Sequence, residues 1–150
     1  MNDPRKTPSL GELAFLIGDW DTALSGGSFL PDPDQVVHGR LEIRAVENGA
    51  FLAIRQFVDV SGPPAAVWLV GRDDSHPDYT VLYADTRGVS RVYVMRLREP
   101  HWQIWRDHDE FAQRFEALIG PDRQEIVGRW EKRVNTGTWE PDFNVTYSRL

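Results

Sequence analysis

Asp142-Phe143-Asn144-Val145-Thr146-Tyr147-Ser148-Arg149-Leu150 ends the chain with an apolar residue at alternate positions. It is preceded by Trp139 and, across the polar turn at Gly137-Thr138, by Trp130-Glu131-Lys132. A terminus this rich in Trp, Phe, Val and Tyr has too much to bury to be left fraying, so it is expected to pair inside a sheet. Gly18-Asp19-Trp20 opens the first strand-like run near the other end. The two ends together predict a closed antiparallel barrel whose first and last strands are neighbours.

Between them the period-2 signal barely pauses. Val37, Gly39, Leu41, Ile43 and Ala45 alternate with polar residues, the pattern of a half-buried antiparallel strand. Asn48-Gly49 accepts positive φ at both positions and predicts a two-residue hairpin turn. Further strands are expected over Phe51 to Val60, Ala65 to Arg72, Tyr79 to Asp85, Ser90 to Arg98 and His101 to Asp107. Phe111 to Ile119, Gln124 to Val134 and Trp139 to Arg149 complete the series. Turn residues such as Ser61-Gly62-Pro63-Pro64 and Thr86-Arg87-Gly88 separate them. Ahead of the strands, Ser9 with Glu12 forms a capping-box pattern for one short helix over Leu10 to Ile17. The prediction is an all-β, up-and-down antiparallel barrel of about ten strands with a short N-terminal helix. Residues 1–8 are expected to form a loose tail, and 9–150 one domain without repeats or linkers.

Composition narrows the function classes. With 150 residues, 41% hydrophobic and 11% aromatic, the chain can build a core without staples. A net charge of −6 with scattered arginines argues against a nucleic-acid backbone as partner. The absence of cysteine removes thiolate chemistry, and no apolar run is long enough to span a bilayer as a helix. Met1 to Pro8 lacks the apolar segment of a signal peptide, which makes cytoplasmic the expected location.

No catalytic motif emerges, so whether the chain is an enzyme is left open. Its serines fall outside nucleophile-elbow patterns, and Gly26-Gly27 lacks the context of a phosphate loop. Asp107-His108-Asp109-Glu110 points its side chains in different directions. His101 and His108 sit roughly 20 Å apart at the rise of a strand, so no metal site is expected. The candidates are cavity-lining side chains instead. Trp68, Tyr83, Asp85, Tyr93, Phe115, Trp130 and Tyr147 supply rings, hydroxyls and one carboxylate, the mix of a small-ligand pocket. The same rings could equally serve as core with their polar ends satisfied.

Three charged positions have an undetermined side. Arg55 lies on a strand with two apolar faces, and outward is the cheaper choice for an unpaired charge. Arg114 and Arg129 could seat a carboxylate head group inside or form outward ion pairs. Three functions compete: a carrier or sensor of a small hydrophobic or amphipathic molecule, an enzyme using the same cavity with Asp85 as its ionisable group, or a barrel filled by its own indoles. The last would act through its surface or by self-association.

Three stretches also carry a family resemblance. They are Leu10-Gly11-Glu12-Leu13-Ala14-Phe15-Leu16-Ile17-Gly18-Asp19-Trp20; Tyr83-Ala84-Asp85-Thr86-Arg87-Gly88-Val89-Ser90-Arg91-Val92-Tyr93; and a third, composite pattern. The third combines Phe111-Ala112-Gln113-Arg114-Phe115, Gly128-Arg129-Trp130-Glu131, Trp139, Asp142-Phe143 and Tyr147-Ser148-Arg149. Over nearly the whole chain they resemble a bacterial family of lipocalin-like (calycin-like) barrels without an agreed activity, more distantly similar to nitrobindins and fatty-acid-binding proteins. The resemblance implies that Arg149 of the last strand covers the indole of Trp20 and closes the barrel floor, a structural role. Nitrobindins continue their opening as Gly-x-Trp-x-Gly-x-Gly and ligate haem through a C-terminal histidine. Here Asp21 to Leu24 lack those glycines and no histidine follows His108. Both departures weigh against haem, and no cofactor is expected.

Overall fold

The computed structural model describes residues 9–28, 30, 32, 34–58 and 64–150. The expected tail over 1–8, Phe29, and the end of the third expected strand with its turn (59–63) lie outside the described residues. The elements run α1 (Ser9–Leu13), a 3-10 turn (Ala14–Leu16), β1 (Gly18–Ser25), β2 (Val37–Val46), β3 (Phe51–Val58) and β4 (Ala66–Gly71). Then follow β5 (Tyr79–Asp85), β6 (Ser90–Arg98), β7 (His101–Arg106), β8 (Phe111–Ile119), β9 (Glu125–Val134) and β10 (Glu140–Arg149).

Every strand pairs antiparallel with its sequence neighbours, and β1 pairs with β10, so the ten strands form a closed up-and-down barrel. Trp20 stands opposite Arg149 and Leu24 opposite Val145 along the closing seam. Closure leaves the sheet no free edge, since the outer backbone groups of the first and last strands satisfy one another. Among the described residues no helix is long and apolar enough to cross a membrane.

Burial follows the predicted alternation. Leu52 and Ile54 of β3 face inward and Arg55 lies on the exposed side, the cheaper of its two orientations. Arg129 is likewise exposed, and Arg114 points outward to Glu131 at 3.1 Å with its guanidinium 4.1 Å from the Trp139 ring centre.

Two local expectations change. The helix expected through Ile17 is only five residues of α-helix followed by a 3-10 turn, and Ile17 is extended and exposed. The tightening lets the Leu16 carbonyl accept a hydrogen bond from Trp20 Nε1–H at 2.9 Å. Glu12 accepts a hydrogen bond from the Tyr79 hydroxyl of β5, which ties α1 across the barrel end. The β2–β3 turn spans four residues rather than two, because Glu47, Asn48 and Gly49 all adopt positive φ and pairing resumes at Val46 with Phe51.

The barrel has two unlike halves. At the α1 end Leu13, Leu16, Trp20, Val81, Met95 and Ile126 are each 0–1% exposed and packed as a solid floor. Over that floor the Arg149 guanidinium lies 4.2 Å from the Trp20 ring centre, and it donates to the carbonyls of Phe15, Ile17 and Arg123. Gly18 leads in at φ +140°, where a Cβ would also lie 3.2 Å from Arg149 Nη1. Toward the other end the interior is hollow.

Candidate functional site

The hollow is a cavity of about 390 Å³, open at the end opposite α1. Its size follows from the alternation, because inward positions near the mouth carry rings held apart by their own edge contacts rather than interdigitated aliphatics. Trp68, Tyr83, Tyr93, Phe115, Trp130 and Tyr147 all line it. Trp68 sits at the hub, with ring centres 4.5 Å from Tyr83, 5.2 Å from Tyr93 and 5.7 Å from Trp130. Phe115 stacks on Trp130 at 5.1 Å, and Phe143 stacks on Trp130 at 6.2 Å.

That stack depends on a missing side chain. Gly128 faces inward beside Phe115, and a Cβ there would lie 2.6 Å from the Phe115 ring. The glycine gives the ring its place in the cavity wall.

Asp85 does not line the cavity. Its carboxylate accepts from the Tyr83 hydroxyl at 2.6 Å and from Arg87 Nη2 at 2.7 Å, and the Arg87 amide donates to it at 2.9 Å. Those Arg87 bonds, with help from the Tyr83 hydroxyl, hold its carboxyl well below the usual carboxylate range. Tyr83 is pushed the other way, by burial first and then by the Asp85 bond and charge. The trio fastens the β5–β6 turn and aims Arg87 at the mouth, where that residue lines the cavity.

Above the aromatic belt runs a polar ring absent from the candidates read in the sequence. Arg91, Gln113 and Lys132 line the mouth. Each stands two residues toward the mouth from a belt aromatic on its own strand: Tyr93, Phe115 or Trp130. Period-2 parity was the available signal. Tyr93 donates its hydroxyl to Gln113 Oε1 at 2.5 Å, Gln113 Nε2 donates to Asp142 at 2.9 Å, and Lys132 Nζ lies 4.0 Å from that same carboxylate. Asp142 is turned inward by a bulge between Pro141 and Phe143, so consecutive residues both reach the interior. No alternation rule predicts that placement.

Deeper in, the indole N–H of Trp102 is enclosed without an acceptor among the described residues, and Tyr147 is 9% exposed with burial raising its phenol above its ordinary value. None of the four histidines lines the cavity, and no cluster of three or more metal-ligating side chains exists among the described residues.

No protein-family model matches the chain, and no curated protein matches it in sequence. Among solved structures it is similar to that of Rv2717c from M. tuberculosis, with a TM-score of 0.70 at 14% identity over 96% of this chain and 98% of that one. The likeness is one of fold.

Proposed function

We propose that this barrel is a carrier or sensor that binds a small hydrophobic or amphipathic molecule in its cavity. The observation that carries the proposal is the contrast within one interior: a solidly packed floor beneath an aromatic chamber of about 390 Å³. That volume lies at the smaller end of ligand pockets, roughly 300–1,000 Å³. Rings lining a hollow expose apolar area to water, and a guest that covers it recovers about 25 cal/mol per Å². The calycin-like resemblance of the sequence points the same way, and a cytoplasmic location fits the reading.

Haem is not the proposed guest. The resemblance to nitrobindins would require an axial histidine, whereas His38, His101 and His108 are exposed and His76 lies in the β4–β5 connection, none at the cavity. The enzymatic alternative rests on Asp85 as an ionisable group, but a carboxylate held ionised by Arg87 is a poor proton donor and a weak base near neutral pH. Its geometry suits positioning Arg87.

Titrating the protein with fatty acids, flavonoids and haem while following tryptophan emission tests the proposal. At least one apolar class is expected to quench or shift the emission, with the response blunted in Trp130→Phe. Unchanged emission across the whole panel would overturn it.

A further inference from the structure

The charges at the cavity mouth are unevenly matched. Three cations line it, Arg87, Arg91 and Lys132, with Asp142 the one carboxylate among the lining residues. Arg87 is taken by Asp85 from behind, and Lys132 faces Asp142. Arg91 has no carboxylate partner among the described residues. Its guanidinium lies 4.6 Å from the centre of the Phe111 ring. Arg106, on an inward position of β7, is likewise without a carboxylate among the described residues and donates to the Phe111 carbonyl at 3.0 Å. Burial raises the Tyr93 phenol, and it is opposed by the charge of Arg91, by that residue's hydrogen bond to the hydroxyl and by the charge of Arg106.

Elsewhere the protein matches many of its arginines. Arg40 faces Glu42, Arg96 Asp78, Arg123 Glu99 and Arg133 Asp107, all at 2.6–2.8 Å. A chain with net charge −6 does not lack carboxylates to place beside Arg91. A ring face is also a weaker partner for a guanidinium than an anion is. The guanidinium, unmatched by a carboxylate, therefore lines the cavity mouth beside the ring belt, opposite Tyr83 in the β5–β6 register.

Building on the ligand-binding reading above, we propose that the cavity selects a flat aromatic carboxylate, its ring system against Trp68, Trp130 and Phe115 and its carboxylate held at the mouth by Arg91. A planar guanidinium matches a carboxylate through two parallel hydrogen bonds, which an ammonium cannot reproduce. The half-shielded site makes each such bond stronger than in open water.

The test compares 2-naphthoate with its neutral counterpart 2-naphthalenemethanol by calorimetry and tryptophan quenching on the intact chain. Wild type is expected to bind the acid about tenfold more tightly than the alcohol, the ratio one charge-assisted contact supplies. Arg91→Gln should remove that preference while leaving alcohol binding within about twofold, and Arg91→Lys should restore only part of it. Equal binding of acid and alcohol by wild type, or equal weakening of both by Arg91→Gln, overturns the carboxylate seat and leaves the cavity reading standing. Failure of both compounds to bind wild type overturns the two together. Should Arg91→Gln melt early, the salt dependence of wild type decides. Naphthoate affinity falling with ionic strength while alcohol affinity holds supports the seat, and two flat responses reject it.

Discussion

Asp85 shows how one side chain's chemistry is fixed by its neighbours. Arg87 and Tyr83 both donate to it, so the folded state favours its ionised form more strongly than the unfolded chain does. Its folded pKa is lowered. Its contribution to stability is therefore fully present above the unfolded value of about 3.9 and is lost as pH falls through the lower folded value. Asp85→Asn keeps the shape and an acceptor for Tyr83 but removes the charge. In urea unfolding the gap between wild type and variant should be largest above about pH 5 and shrink between about pH 4 and 2. A gap constant with pH would show that the charge plays no part. Asp85 was legible as the one carboxylate among the candidates, but its commitment to Arg87 was not, because a turn brings that pair together rather than strand parity. Arg91, Gln113 and Lys132 had a readable signal, each being two residues from a ring already singled out. Asp142 had none.

Strands and most turns were legible because a barrel wall has one wet and one dry face, and period-2 alternation records that division directly. What the alternation could not reveal were local irregularities: the bulge at β10, the four-residue turn after β2, and the tightening of the expected helix's second half into a 3-10 turn. For the helix a local contact goes with the change, the Leu16 carbonyl accepting from the Trp20 indole four residues on. Contacts distant in sequence concentrate at the β1–β10 seam. Arg149 covers the Trp20 ring and donates to carbonyls of the segment before β1 and of the β8–β9 turn. Removing it strips a cation–π contact and leaves those carbonyls short of a donor. Arg149→Ala is expected to lose about 2–3 kcal/mol, read from the urea midpoint, and Arg149→Lys to recover part of it. An unchanged midpoint for the alanine variant would mean that backbone pairing alone closes the barrel.

At the scale of the molecule, the division into a packed floor and a hollow chamber makes opposite demands on the same residue type. Ile104 and Ile126 both face inward and are 6% and 1% exposed, but Ile104 lines the cavity while Ile126 lies within the packed end. An indole at position 104 has empty space to enter, whereas one at position 126 must displace neighbours already in contact. Close-packed interiors resist added volume, at a cost of about 1–3 kcal/mol, while a void accepts it. Ile126→Trp should therefore melt several degrees lower, about 2–4 °C per kcal/mol for a chain of this size. Ile104→Trp should keep a near wild-type melting temperature while weakening 2-naphthoate or any other cavity probe at least about tenfold, because the new side chain occupies the guest's place. If instead Ile104→Trp destabilises as much as Ile126→Trp, the chamber is not free space in solution. A guest would then enter only by rearranging the ring belt, and affinity would be limited by the work of opening it.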